Sequence, residues 1–231
     1  MLLRILETPA EELVFGARFH AMLAGGSPAA IAACLRRDDW TCHICGIRLR
    51  NYMEVDHIHR HEAGASLRTI CQFCHDLRHA LWAANRGRLC VFWAPALAQI
   101  QLTRLAWHVL LASAEEELAP IADDIAADVR RRERVLADIV GTSDPAGILE
   151  AMITLKRLGG ETEFQQAVSL LGGVLRFWPT AANRISGKAA GLKHWRDGGF
   201  RDLSMDLISD HSVDAARLRD LCGRHVPLRF G

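Results

Sequence analysis

The spacing of apolar positions reads mainly as helix. Residues 2–24 open with a short apolar run, and Thr8-Pro9-Ala10-Glu11 has the form of a capping box with Pro at the first helical position. Gly25-Gly26 ends that helix, and Ser27-Pro28 begins another with Ile31, Cys34 and Leu35 on one face. Between residues 47 and 57 the pattern shortens to two brief strands, Ile47/Leu49 and Met53/Val55, and residues 59–66 read as a polar loop. A helix is expected over 74–84 with Leu77, Leu81 and Trp82 on its apolar side, then a strand over 88–93 after the Asn85-Arg86-Gly87 turn. A broad apolar face (Leu97, Ile100, Leu105, Val109, Leu111) predicts a long helix from Pro95 to about residue 118. Further helices are expected over 120–140, 146–158, 161–176, 180–196 and 212–222.

The fold class this implies is mostly α with a small α+β element. The assignment is a first region, 1–93, carrying the cysteine module and an N-terminal extension. A helical region, 94–231, follows, either separate or packed with the first as one unit. The clearest break within the helices is Gly141-Thr142-Ser143-Asp144-Pro145. On the 120–140 helix, Asp123, Asp124 and Asp128 precede Arg130, Arg131, Arg132 and Arg134, an order that complements the helix dipole. A solvated face accounts for these charges; a basic partner-binding patch is the other reading.

Composition changes little in this picture. The chain of 231 residues is 50% hydrophobic and 24% charged, with one tyrosine, which suits a helical globular protein. A net charge of +1 gives no global attraction to nucleic acid or an anionic membrane. The stretch 89–114 is apolar but interrupted by Gln99, Gln101, Arg104 and His108, so it reads as core rather than as a membrane span. The opening residues lack the pattern of a signal peptide. Seven cysteines, four of them in close pairs, point to a reducing compartment, hence a cytoplasmic protein.

Those four cysteines carry the chemistry. Cys42/Cys45 and Cys71/Cys74 form two C-x-x-C pairs with 25 residues between them. Four thiolates satisfy tetrahedral zinc and leave no open position, so the expected ion is structural Zn²⁺. Gly46 after the first pair suits the turn of a zinc knuckle. Cys34, Cys90 and Cys222 lie apart in apolar or helical surroundings. The order knuckle, hairpin, helix is that of a treble clef.

The same stretch resembles the HNH endonuclease module. The matching residues are Asp39-Trp40-Thr41-Cys42-x-x-Cys45-Gly46, then Val55-Asp56-His57-Ile58, then Leu67-x-x-x-Cys71-x-x-Cys74-His75. The resemblance implies His57 as general base and Asp56 and His75 as ligands of a catalytic Mg²⁺ or Mn²⁺. One element departs: Ser66 stands where that family has Asn. His59, His61 and His79 are expected to be solvated or to support the ligands, and a second metal among the histidines is not required. Residues 36–88 hold nine arginines against six acids, a mild basic excess with little aromatic interleaving.

Over roughly residues 28–200 the chain also resembles the DotN (IcmJ) components of type IVB (Dot/Icm-type) secretion systems. The resemblance is carried by Arg37-Asp38-Asp39-Trp40-Thr41-Cys42, Tyr52-Met53-Glu54-Val55 and Cys71-Gln72-Phe73-Cys74. It continues in the strand 89–93 with Pro95, in the apolar helix around 105–111, and in Leu175-Arg176-Phe177-Trp178-Pro179 through His194-Trp195. It implies a non-enzymatic adaptor with an HNH-like module. The implied partners are a coupling ATPase and adaptor proteins, with recruitment to an inner-membrane secretion or conjugation complex and no membrane insertion. Asp56 and His57 depart from that family toward an active enzyme. The function expected is therefore that of a non-enzymatic adaptor, with a divalent-metal-dependent endonuclease on DNA as the alternative. Nucleic-acid binding without cleavage, through basic residues such as Arg184, Lys188, Lys193, Arg196 and Arg201, is the least favoured.

Overall fold

The computed structural model describes residues 28–48, 52–57, 67–95, 97–113 and 119–180. The helices expected over 2–24, 180–196 and 212–222, the loop at 59–66 with Ser66, His59 and His61, Cys222, and the basic residues 184–201 lie outside the described residues, save Thr180 alone. Among the described residues the structure is mostly helical, with two small antiparallel sheets. None of its helices is long and apolar enough to cross a membrane.

The described chain divides into two compact units, each drawn from two separate stretches. The first holds the described residues up to 89 together with 144–173. It begins with α1 (Pro28–Arg37), whose buried residue is Cys34. Asp39 and Trp40 then take left-handed backbone conformations (φ 48° and 50°), which turn the chain into the first cysteine pair. Arg48 fixes that turn by donating to the Asp39 carbonyl (3.1 Å) and carboxylate (2.7 Å).

Strand β1 (Met53–His57) pairs antiparallel with β2 (Leu67–Cys71), in a register that sets Asp56 across from Arg68 and Met53 across from Cys71. Ile47 and Leu49 were expected to form one arm of the hairpin; Leu49 lies outside the described residues, and Ile47 and Arg48 do not form that arm. Instead they close back on the cysteine turn: Thr41 bridges Arg48, and Cys42 N donates to the Ile47 carbonyl at 2.8 Å. With those groups satisfied locally, β1 takes residues 67–71 as its partner. α1 lies against both strands.

The expected 74–84 helix is two helices, α2 (Gln72–Arg78) and α3 (Ala80–Asn85), separated by His79 at φ −111°, ψ 46°. α3 packs on α6 (Pro145–Leu158), which is followed by α7 (Glu161–Val174). Asp144 caps α6, accepting from Ala146 N (3.2 Å) and Gly147 N (2.9 Å), with Pro145 in the first turn. The core of this unit includes Ile70, Phe73, Leu77, Leu81, Leu149, Phe164 and Val168.

The second unit holds residues 90–143 and 174–180 of the described chain. Strand β3 (Leu89–Trp93) leads into it, followed by α4 (Gln99–Ala112) and α5 (Ala119–Val140). The helix expected to run to residue 176 ends at Val174, and Leu175–Pro179 forms strand β4 beside β3. Gly172-Gly173 weakens the helix end, and the Phe-Trp pair favours extended chain. Gln99 holds β4 through both ends of its amide. Nε2 donates to the Phe177 carbonyl (2.7 Å), and Oε1 accepts from Phe177 N (2.8 Å). Trp107, Phe92, Phe177 and Trp178 form the bulk of this core. On α5, Arg130, Arg131 and Arg134 are exposed, whereas Arg132 is buried against Asp128 at 2.7 Å.

Candidate metal centres

The four cysteines of the two C-x-x-C pairs come together as the spacing predicts. Cys42, Cys45, Cys71 and Cys74 are all buried, and their sulfurs lie within 4.8 Å of one another. Local backbone builds each half. In the first, Gly46 adopts φ 74°, and the amides of Ile44 and Cys45 each donate to Cys42 Sγ at 3.4 Å. In the second, Cys71 is the N-cap of α2, and its sulfur accepts from Cys74 N at 3.4 Å. Both turns thus point N–H dipoles at sulfur, an arrangement that favours thiolate. The halves are joined by His43 N donating to the Thr69 carbonyl (2.9 Å) and by Cys45 Sγ lying 3.7 Å from Cys71 Sγ.

The charge state of the cluster calls for a cation. Hydrogen bonds from Cys45, Cys71 and Cys74 hold the Cys42 thiol far below the ordinary range. Burial pushes Cys71 well up, and the neighbouring Cys42 raises Cys74. A buried tetrad of this kind reaches full thiolate only with positive charge at its centre. The four sulfurs are therefore positioned to hold a metal ion.

A second group lies in the same unit. Asp56, His75 and His79 each offer a ligand atom within 4.8 Å of the others, and all three are buried. β1 supplies Asp56, α2 supplies His75, and the break after α2 supplies His79. The two imidazoles pack edge to face with centroids 4.8 Å apart. His75 Nδ1 is bonded to the Glu54 carboxylate. Burial alone would raise the Glu54 carboxyl, but its hydrogen bond with His75 and the nearby Arg88 guanidinium outweigh it and hold it below its ordinary value.

Asp56 has no solvent exposure, and its two oxygens differ. Oδ2 lies 3.2 Å from Arg68 Nη2 and 2.6 Å from Arg78 Nε, whereas Oδ1 has no hydrogen-bond partner among the described residues. Next to His75, burial pushes Asp76 up to about 7 despite its ion pair with Arg88 at 2.9 Å.

Asp56 and His75, named from the sequence, are thus brought together. His57 is 2% exposed and is not part of the Asp56–His75–His79 group. Side chains of adjacent strand residues point to opposite faces, so Asp56 and His57 diverge. His79, expected to be solvated or supporting, is buried and belongs to the group. Its signal was the four-residue spacing from His75, which returns a side chain to the same side of a helix. Neither a protein-family model nor a curated protein matches this chain.

Proposed function

We propose that this chain is a zinc-stabilised adaptor subunit of a type IVB secretion or conjugation coupling complex, acting by protein–protein contact. In this reading Cys42, Cys45, Cys71 and Cys74 hold a structural Zn²⁺ in an HNH-like treble clef. The observation that carries it is the coverage of the residues a nuclease would need. Asp56, His57, His75 and His79 are each at most 2% exposed, and Asp56 is engaged by two arginines. A phosphodiester has to reach a cation and a general base directly, which needs an open face. The chain-long resemblance to the DotN components supplies the partner class. Affinity capture of the full chain from its native cell is expected to recover a coupling ATPase and its adaptors; recovery of no secretion component would end this reading.

One observation favours a second function. The convergence of Asp56, His75 and His79 is the donor set of a divalent cation site, as a metal-dependent HNH-type endonuclease requires. That reading gives His57 the general base and predicts divalent-metal-dependent nicking of DNA that is lost in His57→Ala and His79→Ala. Folded, zinc-loaded protein that cleaves neither DNA nor RNA would remove it. Under both functions the Asp56–His75–His79 group holds a divalent cation. In the enzyme the ion faces phosphate; in the adaptor it ties β1 to the break between α2 and α3.

A further inference from the structure

We propose that Arg68 and Arg78 are positioning residues of the Asp56–His75–His79 group, setting it for an imidazole-preferring transition cation and against Mg²⁺. The inference rests on the reading that this group holds a divalent cation, and goes beyond it by assigning the class of ion and the residues that select it.

The geometry of Asp56 is the starting point. Both guanidiniums sit on Oδ2, which leaves Oδ1, buried and without a hydrogen-bond partner among the described residues, as the oxygen available to an ion. Asp56 is thereby made a one-oxygen ligand of fixed orientation. Neither arginine reaches it by chance of the surface. Arg68 is directly across from Asp56 in the β1–β2 register, and Arg78 follows His75 by three residues on α2. Their side chains are 16% and 27% exposed, so they close over a carboxylate that has no exposure at all.

The donor atoms then decide which ion fits. With Oδ2 of Asp56 held by Arg68 and Arg78, the group offers one carboxylate oxygen and two imidazoles. Mg²⁺ needs near-octahedral oxygen ligands and gives up water reluctantly. Two imidazoles and one oxygen do not supply that. Zn²⁺ and Ni²⁺ gain from imidazole itself. Glu54 on His75 Nδ1 fixes the orientation of its ring, which presets the imidazole as a ligand.

The test titrates the full chain, with the cysteine site zinc-loaded, with Ni²⁺ and separately with Mg²⁺ in a calorimeter. The native chain is expected to take one Ni²⁺, with Mg²⁺ at least about 100-fold weaker. In Arg68→Gln/Arg78→Gln the second oxygen of Asp56 is released as a further oxygen ligand, and the Ni²⁺-to-Mg²⁺ affinity ratio is expected to fall by about tenfold or more. Arg68→Lys/Arg78→Lys, whose ammonium groups can still hold Oδ2, should return the ratio toward the native value. Retention of one zinc and a native circular dichroism spectrum checks the fold of each variant; should the double variant not fold, Arg68→Gln alone reads the same ratio. Native protein that binds Mg²⁺ as tightly as Ni²⁺, or a ratio unmoved by the Gln substitutions while Ni²⁺ still binds, overturns the assignment to the arginines. Absence of Ni²⁺ binding in the native chain, or Ni²⁺ binding indifferent to His79→Ala, overturns the cation reading beneath it and this inference with it.

Discussion

At the scale of single residues, Cys71 and Asp38 bear the most distinct burdens. Cys71 Sγ is at once a member of the buried tetrad and the N-cap acceptor of α2. A serine hydroxyl can still cap the helix but binds zinc poorly, so Cys71→Ser separates the two roles. On the proposed zinc assignment the variant is expected to lose the metal that the native chain retains, read by metal analysis of the purified chain. A Cys71→Ser/Cys74→Ser protein that keeps a zinc equivalent would refute the four-cysteine assignment. Asp38 ties α1 to β2. Its carboxylate pairs with Arg37 at 2.7 Å and accepts from Thr69 N at 2.8 Å. The Arg37 hydrogen bond, more than the Thr69 one, holds its carboxyl well below the usual range against the pull of burial. The folded-state value thus lies below the unfolded one of about 3.9. The stabilisation is complete above the unfolded value and is lost as pH falls toward the folded one. Asp38→Asn should therefore cost about 1–3 kcal/mol at neutral pH. The gap between the two proteins' urea midpoints should close as pH is lowered below 4; a constant gap would show that the charge plays no part.

At the scale of elements, what was legible in the sequence divides by the range of the interaction that decides it. α5 and α6 sit within a residue of where their periodicity and Pro145 put them, because a helix satisfies its own backbone. The strands were harder. β1 and β2 meet across sequence positions 58–66, and nothing local to Ile47 says that its carbonyl will turn back to Cys42. The helix expected over 161–176 takes in only the first two residues of β4, and Trp178-Pro179 reads as a break; the partner that makes the stretch a strand, β3, lies far back in the chain. Gln99 shows what replaces local information there. As a polar residue in an apolar helix it read only as an interruption, yet its buried amide supplies one donor and one acceptor to Phe177. Gln99→Leu removes both and leaves a buried N–H and C=O unsatisfied. The expected loss is about 2–5 kcal/mol in chemical denaturation. Gln99→Glu keeps the acceptor for Phe177 N but, when ionised, sets an oxygen against the Phe177 carbonyl, so its loss should shrink as pH is lowered and the carboxyl gains a proton to donate. A Gln99→Glu loss that does not change with pH would show that packing volume, not the paired hydrogen bonds, sets the cost.

At the scale of the molecule, the chain leaves the first unit near residue 89 and returns to it at 144. The break at Gly141–Pro145 was visible; the destination of the helices beyond it was not, because amphipathic helices such as α6 and α7 carry no address in their own periodicity. The division has a consequence for metal removal. The cysteine centre joins the 41–48 turn to β2 and α2, all in the first unit. The second unit has its own aromatic core, with Trp107 and Trp178 at most 1% exposed and no member of either metal group in it. Structural zinc contributes folding free energy to the segments its ligands join, and little to segments that bury a core without it. Stripping the metal with a chelator that outcompetes four thiolates should therefore unfold the molecule unevenly. Hydrogen exchange followed by mass spectrometry is expected to show protection lost over 41–48 and 67–78 while 91–93, 99–112 and 175–179 stay protected. Restoring Zn²⁺ should recover the first set. Simultaneous loss in both sets would mean that the two units fold as one cooperative body, and that the metal stabilises the whole chain rather than the module that binds it.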